Sequence, residues 1–167
     1  MKSVSCILLS AMLAVGVLQC DLLAQEDDKT VQRLGAERDK LKRQTNPVNR
    51  ARSGIKISEI LLVLVTNAVR NGDHTLMEDR LTQYTLTIQE AHQTMVKTGR
   101  DAHAKPGGFK DLEIALRRQL RQLEDLGGEL SFDERSPVTS ARTEAAAIRD
   151  AILKAMFGGQ NAPAARS

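Results

Sequence analysis

The sequence predicts an all-α protein, an up-and-down antiparallel bundle of four to five helices that follows an N-terminal signal peptide. Leu, Ala, Lys, Arg, Glu and Gln are abundant in the chain, and all of these are good helix formers. Apolar residues recur in steps of three and four, and no segment alternates apolar and polar residues for long enough to predict a strand. Short connections rich in Gly, Pro and Asn separate the periodic segments, so we expect consecutive helices to be antiparallel.

The first 24 residues have the pattern of a signal peptide. An apolar run over residues 4–18 follows a basic start and is too short to span a bilayer comfortably. Cleavage after Ala24 would release a chain that begins at Gln25, exported to the periplasm or secreted as bacterial envelope proteins are. Two alternatives stay open: a lipoprotein anchored at Cys20 and an uncleaved N-terminal anchor.

Both cysteines, Cys6 and Cys20, fall within this segment. The exported chain would therefore contain no disulfide, no cysteine nucleophile and no thiolate metal site. We expect residues 25–157 to form one helical bundle domain and residues 158–167 to be a disordered tail of small residues.

Turn residues divide the domain into five expected helices. They run from Asp28 to Gln44, from Pro47 to Asn71, from His74 to Thr98, from Phe109 to Leu126 and from Ser136 onward. Asn46 and Ser136 each precede a proline and are expected to cap the helices that follow. Gly127 and Gly128 are expected to end the fourth helix, and the third ends near Gly99 or continues toward Ala104.

The second expected helix contains six consecutive apolar residues, residues 60–65. A membrane span needs roughly 20 predominantly apolar residues, so this run is expected to be a core element. One face of the helix carries Ile57, Ile60, Leu61, Leu64 and Ala68. A second stripe carries Ile55, Leu62 and Val69, and we expect both stripes to be buried within the chain.

The third expected helix has a coiled-coil-like seam with steps of 4, 3, 4, 3 and 4. The seam residues are Met77, Leu81, Tyr84, Ile88, Ala91 and Met95. In the fourth helix, Glu113 and Arg117 are i,i+4 neighbours expected on the solvent side.

The sequence predicts no catalytic residue, cofactor or metal site. The three histidines lack the spacing of a shared site, and no nucleophile motif surrounds a serine. One alternative is a small enzyme or ligand-binding domain that uses the loop of residues 99–109 with His92, His103 and Lys105. Another is a binder of polyanions or membrane surfaces that uses Arg117 and Arg121.

The leading hypothesis is an exported, non-catalytic interaction or scaffold protein. Charges of both signs alternate along the helices, and the formal net charge is only +3. Because no aromatic residues are interleaved with the basic ones, we expect no nucleic-acid partner. The expected partner is another protein or a second copy of the chain. Membrane contact is expected only through the signal segment or through a lipid on Cys20.

Overall fold

The computed structural model describes residues 28–158, which form five helices and contain no strand. The helices are α1 (28–43), α2 (Pro47–Arg70), α3 (His74–Val96), α4 (Phe109–Glu129) and α5 (Ser136–Phe157). The all-α class is therefore confirmed for this part of the chain. No helix within it is both long and apolar enough to cross a membrane. The expected signal peptide lies outside the described residues, as does the expected tail beyond Gly158.

Helices α2 to α5 form two antiparallel hairpins that pack against each other. Helix α2 packs on α3 and α4 packs on α5, while α2 also contacts α4 and α3 also contacts α5. The ion pairs Arg52–Asp111 and Glu59–Arg118 have the same residue spacing along both helices, so α2 and α4 run parallel. Each of these two helices is followed by an antiparallel partner, so α3 and α5 are also parallel, and all consecutive helices from α2 to α5 are antiparallel as expected. The longer connection of residues 97–108 allows this arrangement.

The turn chemistry at the start of α2 and α3 follows the sequence. The Oδ1 atom of Asn46 accepts hydrogen bonds from the backbone N–H groups of Val48 and Asn49. Asp73 caps α3 by accepting from the N–H of Leu76, and Gly72 supplies the positive φ of 68° that the tight turn requires. Both helix starts therefore satisfy backbone donors that would otherwise lack partners.

Helix α2 lies at the centre of the hydrophobic core. All five residues of its predicted first face are buried, and Leu62 of the second stripe is also buried. Ile55 and Val69 are partly buried and pack against the same core. Val63, in the middle of the apolar run, is 50% exposed.

Two expected helix ends and one expected cap are wrong. Helix α4 continues through both glycines to Glu129, and the next residue, Leu130, is buried in the core. Ser136 does not cap α5: it is the first residue of the helix, and Arg135 takes the cap position without a side-chain hydrogen bond. Helix α3 ends at Val96, where the hydroxyl of Thr98 donates to the carbonyl of Met95 and the chain turns away.

Candidate functional site

The loop of residues 99–109 does not bring its candidate residues together. The Nδ1 atom of His103 lies 3.0 Å from the carbonyl oxygen of Met156, which fastens the loop to the end of α5. His92 is half-buried on α3, and burial lowers the pKa of its imidazole because desolvation disfavours the charged form. Lys105 is exposed, and no hydrogen bond or ion pair in the described part of the chain joins these three residues. Within residues 28–158, no group of three or more His, Cys, Asp or Glu side chains is placed to hold a metal ion.

Glu113 is buried between α4 and α5, so its expected position on the solvent side is wrong. Arg117 donates to both of its carboxylate oxygens, at 3.2 and 2.6 Å, and Arg149 from α5 donates to Oε1 at 3.1 Å. The hydrogen bonds from Arg117 are the main cause that lowers the pKa of Glu113, and Arg149 adds to it. The sequence pattern of α4 alone cannot show this, because Arg149 comes from another helix.

Arg117 and Arg121, the two arginines of the alternative basic face, have different environments, and Arg118 lies beside them in the sequence. The charge of Arg117 is offset by Glu113, and that of Arg118 by Glu59. Arg121 is exposed, and none of the described residues forms an ion pair with it. A basic face built on Arg117 and Arg121 therefore has only one cation without a carboxylate partner.

The surface between α3 and α5 contains a groove, which we call the α3/α5 groove. The groove between the two helices has a volume of about 500 Å³ and adjoins a second part of about 730 Å³, which is lined only by α5 and the connection before it; the two parts share Ser136, Ser140 and Glu144. Its α3 wall carries residues spaced by about one helical turn: Glu78, Thr82, Thr85, Leu86 and Gln89. Apart from Glu144, short side chains line the α5 wall, and this leaves room between two neighbouring parallel helices.

Two large apolar side chains are exposed at this groove. Leu86 is 60% exposed on its α3 wall, and Phe132 is 87% exposed at its second part. Ala141 and Leu81, both buried, form apolar parts of the lining. Contiguous exposed apolar patches with a polar rim are typical of protein-binding surfaces.

Phe132 is presented by a connection with a defined conformation. The carboxylate of Glu134 accepts from the backbone N–H and the hydroxyl of Ser131, and its other oxygen lies 3.0 Å from Nε2 of His74. The Ser131 hydrogen bonds lower the pKa of Glu134, with a smaller contribution from His74. The loop on both sides of Phe132 is therefore tied to itself and to the start of α3.

Sequence reasoning missed this groove. Its walls consist mainly of Ser, Thr, Gln and Glu, which look like an ordinary solvent-exposed helix face. The available signal is Phe132 itself, one of only four aromatic residues in the chain and the only one in a polar connection. Comparison of the chain with protein-family models, with curated proteins and with solved structures finds no match.

Proposed function

We propose that the protein is an exported, non-catalytic interaction protein that binds a protein partner in the α3/α5 groove. The observation that carries this proposal is the exposure of Leu86 and Phe132 in the two adjoining parts of this surface. A fully exposed Phe gains little in the isolated chain, whereas covering it removes a large apolar surface from water. Aromatic side chains are also enriched where binding energy concentrates in protein interfaces.

The charge of the groove favours a partner segment with basic residues. Three carboxylates and one guanidinium line its two parts, from Glu78, Asp133, Glu144 and Arg135. The chain as a whole has a net charge of +3, so this surface differs in sign from the rest of the protein. Arg135 also donates to the carbonyl of Leu130 at 2.7 Å, which directs its guanidinium toward its own backbone. We therefore expect a partner segment with apolar side chains flanked by Lys or Arg.

The direct test is site-specific photocrosslinking in the producing cells. A photoreactive residue at position 132 should give a discrete crosslinked species, and the Leu86→Ser substitution should reduce its yield several-fold. The partner identified in this way, purified without the crosslink, should bind the chain with lower affinity when salt is added, because screening weakens the attraction between opposite charges.

The matched control uses Ile114, an exposed apolar residue on α4 that is 48% exposed. A photoreactive residue at position 114 should not capture the same species, and Ile114→Ser should leave the affinity for the purified partner unchanged. The proposal is rejected if both positions capture the same species equally, or if Leu86→Ser and Phe132→Ser together leave the affinity unaltered. A crosslinked species consisting of two copies of this chain would identify the partner as a second copy.

Export is tested separately by the intact mass of the protein recovered from the cell envelope or medium. An intact mass that matches a chain beginning at Gln25 supports cleavage after Ala24, and such a chain lacks both cysteines. A species that retains Met1, or one lipidated at Cys20, contradicts this part of the proposal without affecting the groove.

A further inference from the structure

A second cavity, of about 290 Å³, lies between α1 and the α2/α3 hairpin. We call it the α1 cleft. Its lining has an apolar floor formed by α2 and α3 and a charged rim. The volume is close to the lower end of the range for small-molecule sites, about 300 Å³. From its shape and charge we infer that the α1 cleft binds a small organic anion that has one carboxylate or phosphate group and a short aliphatic part.

The floor of the cleft is apolar because α2 and α3 come close together beneath it. A Cβ atom on Gly54 would lie 3.0 Å from the Cβ of Ala91, so the two backbones leave only small groups at this point. Ile57 is buried beside them, and Leu41 of α1 is partly buried opposite. An aliphatic chain would lie against these groups and lose its contact with water.

The rim of the cleft has more positive than negative charge. Three cations and one carboxylate line it, and the carboxylate of Glu90 is already bound to Arg50 at 3.2 Å. Arg50 also donates to the carbonyls of Leu41 and Gln44, so this guanidinium holds the end of α1 in place. Arg50 is therefore a structural group rather than one available to a ligand.

The other two cations are not neutralised by the lining of the cleft. Arg38 donates to Gln83, at 2.6 Å, and this acceptor is an uncharged amide. Lys42 pairs with Asp39 only in a highly exposed contact at 3.1 Å, and such contacts contribute little. A carboxylate or phosphate would match the guanidinium fork of Arg38 and gain a charge-assisted bond from Lys42. The hydroxyl of Thr94 offers a further polar contact.

The test is calorimetric titration of the full chain with four probes. Hexanoate and hexyl phosphate carry both the charge and the aliphatic part, while acetate lacks the chain and 1-hexanol lacks the charge. We expect at least one of the first two to bind, and at least tenfold more tightly than acetate or hexanol. The tighter of the two identifies the preferred headgroup. The inference is overturned if neither binds or if hexanol binds equally well.

Substitutions then assign the binding to the cleft. Arg38→Gln together with Lys42→Gln should weaken the binding of the charged probe at least tenfold. Both side chains belong to exposed residues of α1, and an unchanged helical circular dichroism spectrum would show that the fold is retained. Arg43→Gln removes one charge from the same helix outside the cleft and should leave binding unaltered. If Arg43→Gln weakens binding as much as the double variant does, the binding is general charge attraction. If the double variant does not weaken binding, the probe binds outside the cleft.

Discussion

The hydroxyl of Tyr84 on α3 donates a hydrogen bond of 3.2 Å to the Oε1 atom of Gln119 on α4, and both side chains are fully buried. Gln119 in turn donates to the hydroxyl of Ser58 at 2.8 Å, and Ser58 donates to the carbonyl of Ile55 in its own helix. This chain of hydrogen bonds joins three helices within a largely apolar core. Burial raises the pKa of Tyr84, so its hydroxyl remains protonated and able to donate.

Tyr84→Phe should destabilise the protein by about 1 kcal/mol, because it leaves the buried Oε1 atom of Gln119 without its donor. Gln119→Leu should cost more, about 1–3 kcal/mol, because it deprives both Tyr84 and Ser58 of a partner. The double variant should cost less than the sum of the two. Urea unfolding of the wild type, the two single variants and the double variant measures the coupling between Tyr84 and Gln119. Additive effects would show that the hydrogen bond between these two residues contributes no net energy.

Leu62→Asp should unfold the protein, since it places an unpaired carboxylate at a site that is only 3% exposed. The neighbouring Val63→Asp is the matched control and should change stability by no more than about 0.5 kcal/mol. Helical circular dichroism during heating, together with sedimentation, distinguishes the two variants. A folded Leu62→Asp protein that no longer associates with itself would assign this stripe to an interface rather than to the core.

The stability should depend on pH through Glu113. Its pKa in the folded protein is lowered from the ordinary value of 4.5. The stabilisation that the charged carboxylate provides is therefore fully present above pH 4.5, and it is lost as the pH falls through the lower pKa of the folded state. The unfolding free energy of the wild-type protein should therefore decrease more steeply below pH 4.5 than that of Glu113→Gln. Glu124→Gln removes an exposed partner of Arg142, at 3.8 Å, and should leave the acid dependence as in the wild type. Identical pH profiles for the wild type and Glu113→Gln would contradict this account.

Two glycines within helices should respond in opposite directions to a larger side chain. Gly128 is in α4, with open space where a Cβ would be, so Gly128→Ala should stabilise the protein by about 0.5 kcal/mol through helix propensity. Gly54 packs against Ala91, so Gly54→Val should destabilise by about 1–3 kcal/mol through overpacking. Thermal unfolding should show opposite shifts, and a stabilised Gly54→Val protein would mean that α2 and α3 can separate at little cost.

The sequence predicted those features of the fold that depend on one helix at a time. Periodicity predicted the buried face of α2, and the residues around Asn46 predicted its cap, because these signals are local. The burial of Glu113 depends on Arg149 from another helix, so no pattern within α4 could indicate it. Phe132 was visible in the sequence, but its place at a groove depends on how α3 and α5 meet.

The arrangement in two hairpins has a consequence for the order of folding. Helices α2 and α3 are joined by a turn of three residues, 71–73, so their contacts form at a small entropic cost of loop closure. Contacts between the hairpins must wait until the connection of residues 97–108 is closed. Ser58 and Tyr84 both belong to the first hairpin, whereas Gln119 belongs to the second. We therefore expect the helices of each hairpin to form early in refolding, and the burial of Gln119 to mark the later step in which the hairpins dock.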